Sequence, residues 1–132
     1  MSDTAAQGPR GELSTRTMAM PKDTNPSGDI FGGWLMSEMD IAGSIVAWQR
    51  AQGRVATVAV RGMAFHAPVH VGDVLSCYTD IVDTGTTSIT VNIEAWAHPR
   101  SQGRGVKVTE GKFVFVALDD GGAKRPLPAN QK

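Results

Sequence analysis

The chain has 132 residues, 41% of them hydrophobic and 20% charged, which fits one folded domain and leaves no room for a second core. Thirteen Lys and Arg balance thirteen Asp and Glu, so no global field exists to hold nucleic acid or an acidic membrane surface. Any anionic ligand must be held by a local group of donors.

Cys77 is the only cysteine and has no partner for an intrachain disulfide. Residues 1–11 are polar, with no apolar run of the kind a secretory signal carries, and no stretch approaches the roughly 20 apolar residues of a membrane helix. A cytoplasmic location is the expectation. In chain order, 1–11 reads as a loose arm and 12–20 as a weakly alternating first strand. The turn-rich stretch from Pro21 to Asp29 follows as a loop.

Residues 30–51 carry a helical pattern. Ile30, Trp34, Ile41, Ile45 and Trp48 fall on one flank and Phe31, Leu35, Met39, Ala42 and Val46 on the next, with Gly53 as the stop. So wide an apolar arc predicts a largely buried helix. Strands are expected at 55–60, 63–69, 73–83, 86–97 and 106–118, with a hairpin at Thr84-Gly85 and a polar tail at 119–132. In the strand 86–97, Ile89, Val91, Ile93 and Ala95 alternate with Ser88, Thr90, Asn92 and Glu94, giving one face to the core and one to solvent. The pattern is α+β: one domain, 12–118, with an antiparallel sheet laid on one long helix. One helix covers only a few strands, so a dimer is expected to cover the rest.

Between the two apolar flanks lies a strip of Gly33, Ser37, Asp40, Ser44 and Ala47, where four of five residues are small. Asp40 is the exception. A mid-helix aspartate competes for backbone donors and calls for a reason. On helix geometry alone, a solvent-facing or ion-paired carboxylate accounts for it as well as a reacting one. Gly28, Gly32 and Gly33 surround the first helical turn, whose free N–H groups can hold a phosphate or a developing oxyanion. The same glycines also serve a tight turn and close packing, and Asn25 and Asp29 can stabilise the loop or cap the helix. Together these residues suggest carbonyl chemistry. Gly33 and Asp40 are about 10 Å apart along one helix, which points to a site shared between two chains.

The run DTNPSGDIFGGWLMSEMDIAG, from Asp23 to Gly43, resembles the YciA-like acyl-CoA thioesterases of the hotdog superfamily. The resemblance continues through GRVATV from Gly53, PVHVGD from Pro68, GTTSI from Gly85 and TEGKFVFVA from Thr109. It implies a hotdog fold, dimers with a continuous sheet and assembly into a homohexamer as a trimer of dimers. It also implies hydrolysis of fatty acyl-CoA to CoA and a carboxylic acid, with no metal or other cofactor. Asp40 corresponds to the family's catalytic aspartate, as general base or nucleophile. Gly32 and Gly33 correspond to the glycine pair facing the thioester oxygen, and Asn25 to the loop asparagine. Thr57, Arg61 and the corner Gly85, Thr86, Thr87 and Ser88 are candidates for contacting the substrate, with Arg104 and Lys107 as weaker ones. Where relatives often carry Thr-Phe-Leu-Arg-Pro, this chain has Ala64-Phe65-His66-Ala67-Pro68, which bears on CoA grip or acyl preference.

No helical histidine pair, serine elbow or phosphate-binding glycine loop is present in the sequence. Cys77 alternates with Leu75 and reads as a core thiol. The competing functions are a hotdog-fold hydratase or dehydratase, which would pair an acid with a histidine, and a non-catalytic acyl-CoA-binding regulator, which would not need Asp40.

Overall fold

A computed structural model describes residues 8–100, 103 and 105–130. The elements are β1 (Glu12–Met18), a 3-10 turn at Pro21–Asp23, α1 (Gly32–Ala51), β2 (Val55–Phe65), β3 (Val74–Thr84), β4 (Ser88–His98) and β5 (Val106–Ala117). The strands form one antiparallel sheet in the order β1-β3-β4-β5-β2, curled around the single helix. This is the α+β arrangement expected from the pattern.

The alternation in β4 sorts the sheet's two faces. Ile89, Val91, Ile93 and Ala95 are fully buried under α1, where they meet Leu35, Met39, Ala42 and Ala47. Gly43 marks the closest approach: a Cβ there would lie 2.6 Å from the Ile93 side chain and 3.0 Å from the Phe115 ring. The outer face differs from expectation, because Asn92 and Glu94 are buried rather than solvated. Arg10 reaches over this face, donating its backbone N–H to Glu94 at 3.1 Å and its guanidinium to Asp80 at 2.9 Å.

Two sequence expectations need correction. The stretches 55–60 and 63–69 are not two strands; β2 runs unbroken to Phe65, with register shifts against β5 at Thr57/Ala59 and Arg61/Ala64. Gly62, at φ 68°, absorbs the second shift in a conformation that glycine adopts without penalty. The helix is also less buried than its apolar arc implied. The flank of Leu35, Met39 and Ala42 packs on the sheet, whereas Ile41, Ile45 and Trp48 are exposed, Trp48 at 59%.

The helix ends at Gln52, left-handed at φ 54°, with Gly53 donating its N–H to Trp48 at 3.2 Å. The tail then straps this end of the domain. Arg125 donates to the carbonyls of Ala51 at 2.8 Å and Leu118 at 2.9 Å, and Arg50 donates to Pro128 at 2.8 Å. Arg125 therefore supplies a donor to the carbonyl of Ala51, the last residue of α1.

Candidate active site

The loop before α1 is built from short-range hydrogen bonds. The Asn25 side-chain oxygen accepts the N–H groups of Ser27 at 2.9 Å and Asp29 at 3.1 Å, and the Asn25 N–H donates to Asp29 at 2.7 Å. Thr24 and Ile30 pair across the loop, and Gly28 turns it at φ 91°. Asn25 thus stabilises the loop rather than capping the helix. Its amide nitrogen has no acceptor among the described residues and is left to donate elsewhere.

Phe31 is the N-cap of α1, with no side-chain cap and no acidic residue in the first turn. Trp34 and Leu35 donate to the Phe31 carbonyl at 3.1 and 3.3 Å. The Gly32 and Gly33 amides have no acceptor among the described residues, and both glycines are exposed. Nothing lies within 4 Å of a Cβ added at Gly33. The helix therefore presents unneutralised donors at its positive end, with open space beside Gly33 and the Phe65 ring beside Gly32. A cavity of about 410 Å³ adjoins this end, lined by Ile30, Gly32, Leu35, Phe65, His66 and Val69 among others. His66 enters it from the strand side, a placement that inspection of the loop and helix alone missed. The signal was the Ala64–Pro68 departure from the family pattern.

Asp40 is half-buried on the strip facing β2, and Thr57 donates its hydroxyl to Asp40 Oδ1 at 2.6 Å. The short distance is that of a charge-assisted bond to a carboxylate. No basic side chain pairs with Asp40 among the described residues. Thr57, expected as a substrate contact, has its hydroxyl committed to Asp40.

The other candidates lie apart. Paired residues on neighbouring strands share a face, so Thr57, opposite Phe115, points to the helix side. The register shift after Thr57 then places Arg61, opposite Lys112, on the outer face. The corner of Gly85, Thr86, Thr87 and Ser88 sits at the far end of the sheet from Gly32. There Thr87 accepts from Ala117 and Thr86 from Leu127, each at 2.9 Å. Lys107 is engaged by Glu110 at 3.3 Å and Glu94 at 3.8 Å. Arg104 lies outside the described residues. Within one chain, then, only Asp40 and Thr57 come together, and the glycine pair stands about 10 Å away along the helix axis.

Cys77 is fully buried, and burial pushes its thiol up to about 11, partly opposed by a hydrogen bond from Thr15 and reinforced by the nearby Glu38 charge. That is the environment of an inert core thiol rather than a nucleophile.

Residues 27–103 match the model of the thioesterase superfamily. The acyl-CoA thioester hydrolase YciA of Salmonella typhimurium is 56% identical over 123 residues, covering 91% of this chain and 92% of that protein. A hexameric thioesterase from Yersinia pestis superposes with a TM-score of 0.88 at 56% identity, covering 92% of this chain and 99% of the other. A hexameric broad-specificity acyl-coenzyme A thioesterase, solved as an aspartate-to-alanine mutant, gives 0.89 at 45% identity and covers 92% and 89%.

Proposed function

This chain belongs to the thioesterase superfamily, and from that premise we propose that it hydrolyses acyl-CoA thioesters to free CoA and a carboxylic acid, with Asp40 as the reacting carboxylate. The observation that carries the Asp40 assignment is its geometry: an unpaired, half-buried carboxylate on a small-residue strip, oriented by one short bond from Thr57.

In this reading the thioester oxygen faces the free Gly32 and Gly33 amides, which stabilise negative charge as the carbonyl carbon becomes tetrahedral. Asp40 either takes a proton from the attacking water or attacks directly, forming an anhydride that water then opens. The C–S bond breaks and the sulfur leaves as CoA thiolate. Neither route calls for a metal or other cofactor. Because one chain holds the two halves of the machinery too far apart, Asp40 works opposite the glycine pair and Asn25 of a second chain.

The surface supports such a pairing. β2 is an edge strand bearing exposed Val58 and Val60, and beside it Ile41, Ile45 and Trp48 form an exposed helix flank. A long apolar edge next to an apolar stripe calls for a cover, and a second copy presenting the same surface provides one. Three such dimers then build a homohexamer, the assembly named for the Yersinia relative, and the cytoplasm is its proposed location.

The test measures free thiol release from a panel of acyl-CoAs by wild type, Asp40→Asn and Asp40→Ala. Loss of general-base or nucleophilic action predicts a fall in kcat of about 10²–10⁴-fold in both variants. Assemblies mixed from Asn25→Ala and Asp40→Ala chains should regain part of the activity. Undiminished turnover by both Asp40 variants would remove the assignment, and no recovery in verified mixed assemblies would remove the shared site. In single-turnover hydrolysis in oxygen-18 water, label found in Asp40 would establish direct attack, because only an anhydride opened at the Asp40 carboxyl carbon places a water oxygen there.

A further inference from the structure

The outer face of the sheet, opposite the helix, carries a second constellation that hydrolysis does not use. Arg61 of β2 pairs directly with Lys112 of β5, Lys112 with Asn92 of β4, and Asn92 with Asp80 of β3, so the four form one row across the sheet. Asp80 is neutralised by Arg10 at 2.9 Å, and the nearby Glu110 is engaged by Lys107 at 3.3 Å. Arg61 and Lys112 have no carboxylate partner among the described residues. Like charges directly opposite on neighbouring strands are destabilising, and here nothing described offsets them.

Asn92 supplies an independent sign. It is 5% exposed, and its side-chain nitrogen is buried with no acceptor, although a buried donor is ordinarily paired. That residue lines a cavity of about 410 Å³ shared with Arg61, Lys112, Arg10, Glu110 and the glycines 62 and 111. Gly62 has open space beside it, whereas the space beside Gly111 is taken by the Met63 side chain. Two cations without a carboxylate partner and the residue of the orphaned amide donor thus line a single space, while the only acid among the described residues on its wall already holds a lysine.

We propose that this outer-face cavity binds a phosphate group, held by Arg61, Lys112 and the Asn92 amide. A phosphate presents several acceptor oxygens in three dimensions, matching donors that arrive from three strands, and its charge relieves the Arg61–Lys112 repulsion. The group is either free phosphate or the phosphate of a larger ester such as the CoA nucleotide.

Thermal unfolding of the full-length protein in inorganic phosphate and in chloride, at matched ionic strength, tests the site independently of turnover. Wild type should gain about 3 °C at saturating phosphate, whereas Lys112→Gln and Arg61→Gln should lose most of that gain. Both side chains are exposed, so both variants are expected to fold, and in chloride the relief of repulsion should leave them no less stable than wild type. Equal phosphate gains in all three proteins, or no gain in wild type beyond chloride, would overturn the proposal. Kinetics then identify the source. A raised KM for acyl-CoA in Lys112→Gln, with an unchanged KM for the corresponding acyl-pantetheine, assigns the group to CoA; unchanged KM for both assigns it to free phosphate.

Discussion

Replacing Thr57 with valine removes one hydroxyl and keeps the shape of a β-branched strand residue. That hydroxyl donates to Asp40 Oδ1 at 2.6 Å, and a hydrogen bond to a charged group contributes about 1.5–3 kcal/mol. Thr57 is exposed and Asp40 only half-buried, so water competes for the carboxylate and the lower end applies. About 1.4 kcal/mol of lost orientation in the transition state is a tenfold fall in kcat. If Thr57 only holds Asp40, KM for acyl-CoA should stay within about twofold, since no substrate contact is removed. Thr57→Ser keeps the donor and should retain most of the rate. Thermal stability should fall by no more than about 1.5 kcal/mol, the lower end of the same range. The assay is steady-state thiol release with wild type, Thr57→Val and Thr57→Ser in parallel. A rise in KM with kcat intact would make Thr57 a substrate contact. Equal losses in the valine and serine variants would show that the hydroxyl has no special role. Either result refutes the reasoning.

Gly43→Ala places a methyl 2.6 Å from Ile93 and 3.0 Å from Phe115. Overpacking of this kind costs about 1–3 kcal/mol, and the helix preference of alanine returns up to about 1 kcal/mol. A net loss of about 1–2 kcal/mol is expected in urea unfolding, and a gain would mean that α1 does not lie this close to the sheet. Burial raises the Cys77 thiol from 9.0 to about 11, so between those pH values the unfolded chain loses a proton that the folded chain keeps. Stability should therefore fall by about 2 kcal/mol as pH rises from 9 to 11. Cys77→Ala should lack that component of the fall, and identical pH slopes in the two proteins would contradict the buried-thiol reading.

Much of the fold is legible in the residue pattern because its signals are local. The period of 3.6 around Leu35, Met39 and Ala42 and the period of 2 from Ile89 to Ala95 each report an element without reference to the rest of the chain. What was not legible depends on partners distant in sequence. Arg61-Gly62 looks like a gap between strands, yet Gly62 at positive φ lets β2 continue through it. Counting by twos from Thr57 puts Arg61 on the helix side, and the register shift after Thr57 sends it to the other face. Periodicity marked Ile41, Ile45 and Trp48 as apolar but says nothing of whether their own chain covers them. The bond from Thr57 to Asp40 spans 17 positions and arises only because β2 returns along the helix that precedes it. Residue type alone likewise left the role of Asn25 open, and the geometry shows its oxygen closing its own turn.

The same helix carries the donors at its start and the carboxylate two turns later, and this spacing has a physical advantage. Placed in the first turn, Asp40 would be drawn to the free amides and would neutralise the site that has to receive the thioester oxygen. Two turns along, it keeps its charge away from those amides and takes its one strong bond from Thr57 instead. Separation of this kind prevents the site from satisfying itself, but it also prevents one chain from gripping a single carbonyl at both ends. An antiparallel second copy resolves the conflict. In the proposed pairing along the β2 edge, two-fold symmetry would set the carboxylate of each helix toward the glycine end of the other, and would cover the apolar flank of Ile41, Ile45 and Trp48 in the same step. On the proposed pairing, assembly and catalysis would depend on one surface, so a charge introduced at Ile45 should separate the chains and abolish turnover together, although Ile45 touches neither Asp40 nor the glycine pair.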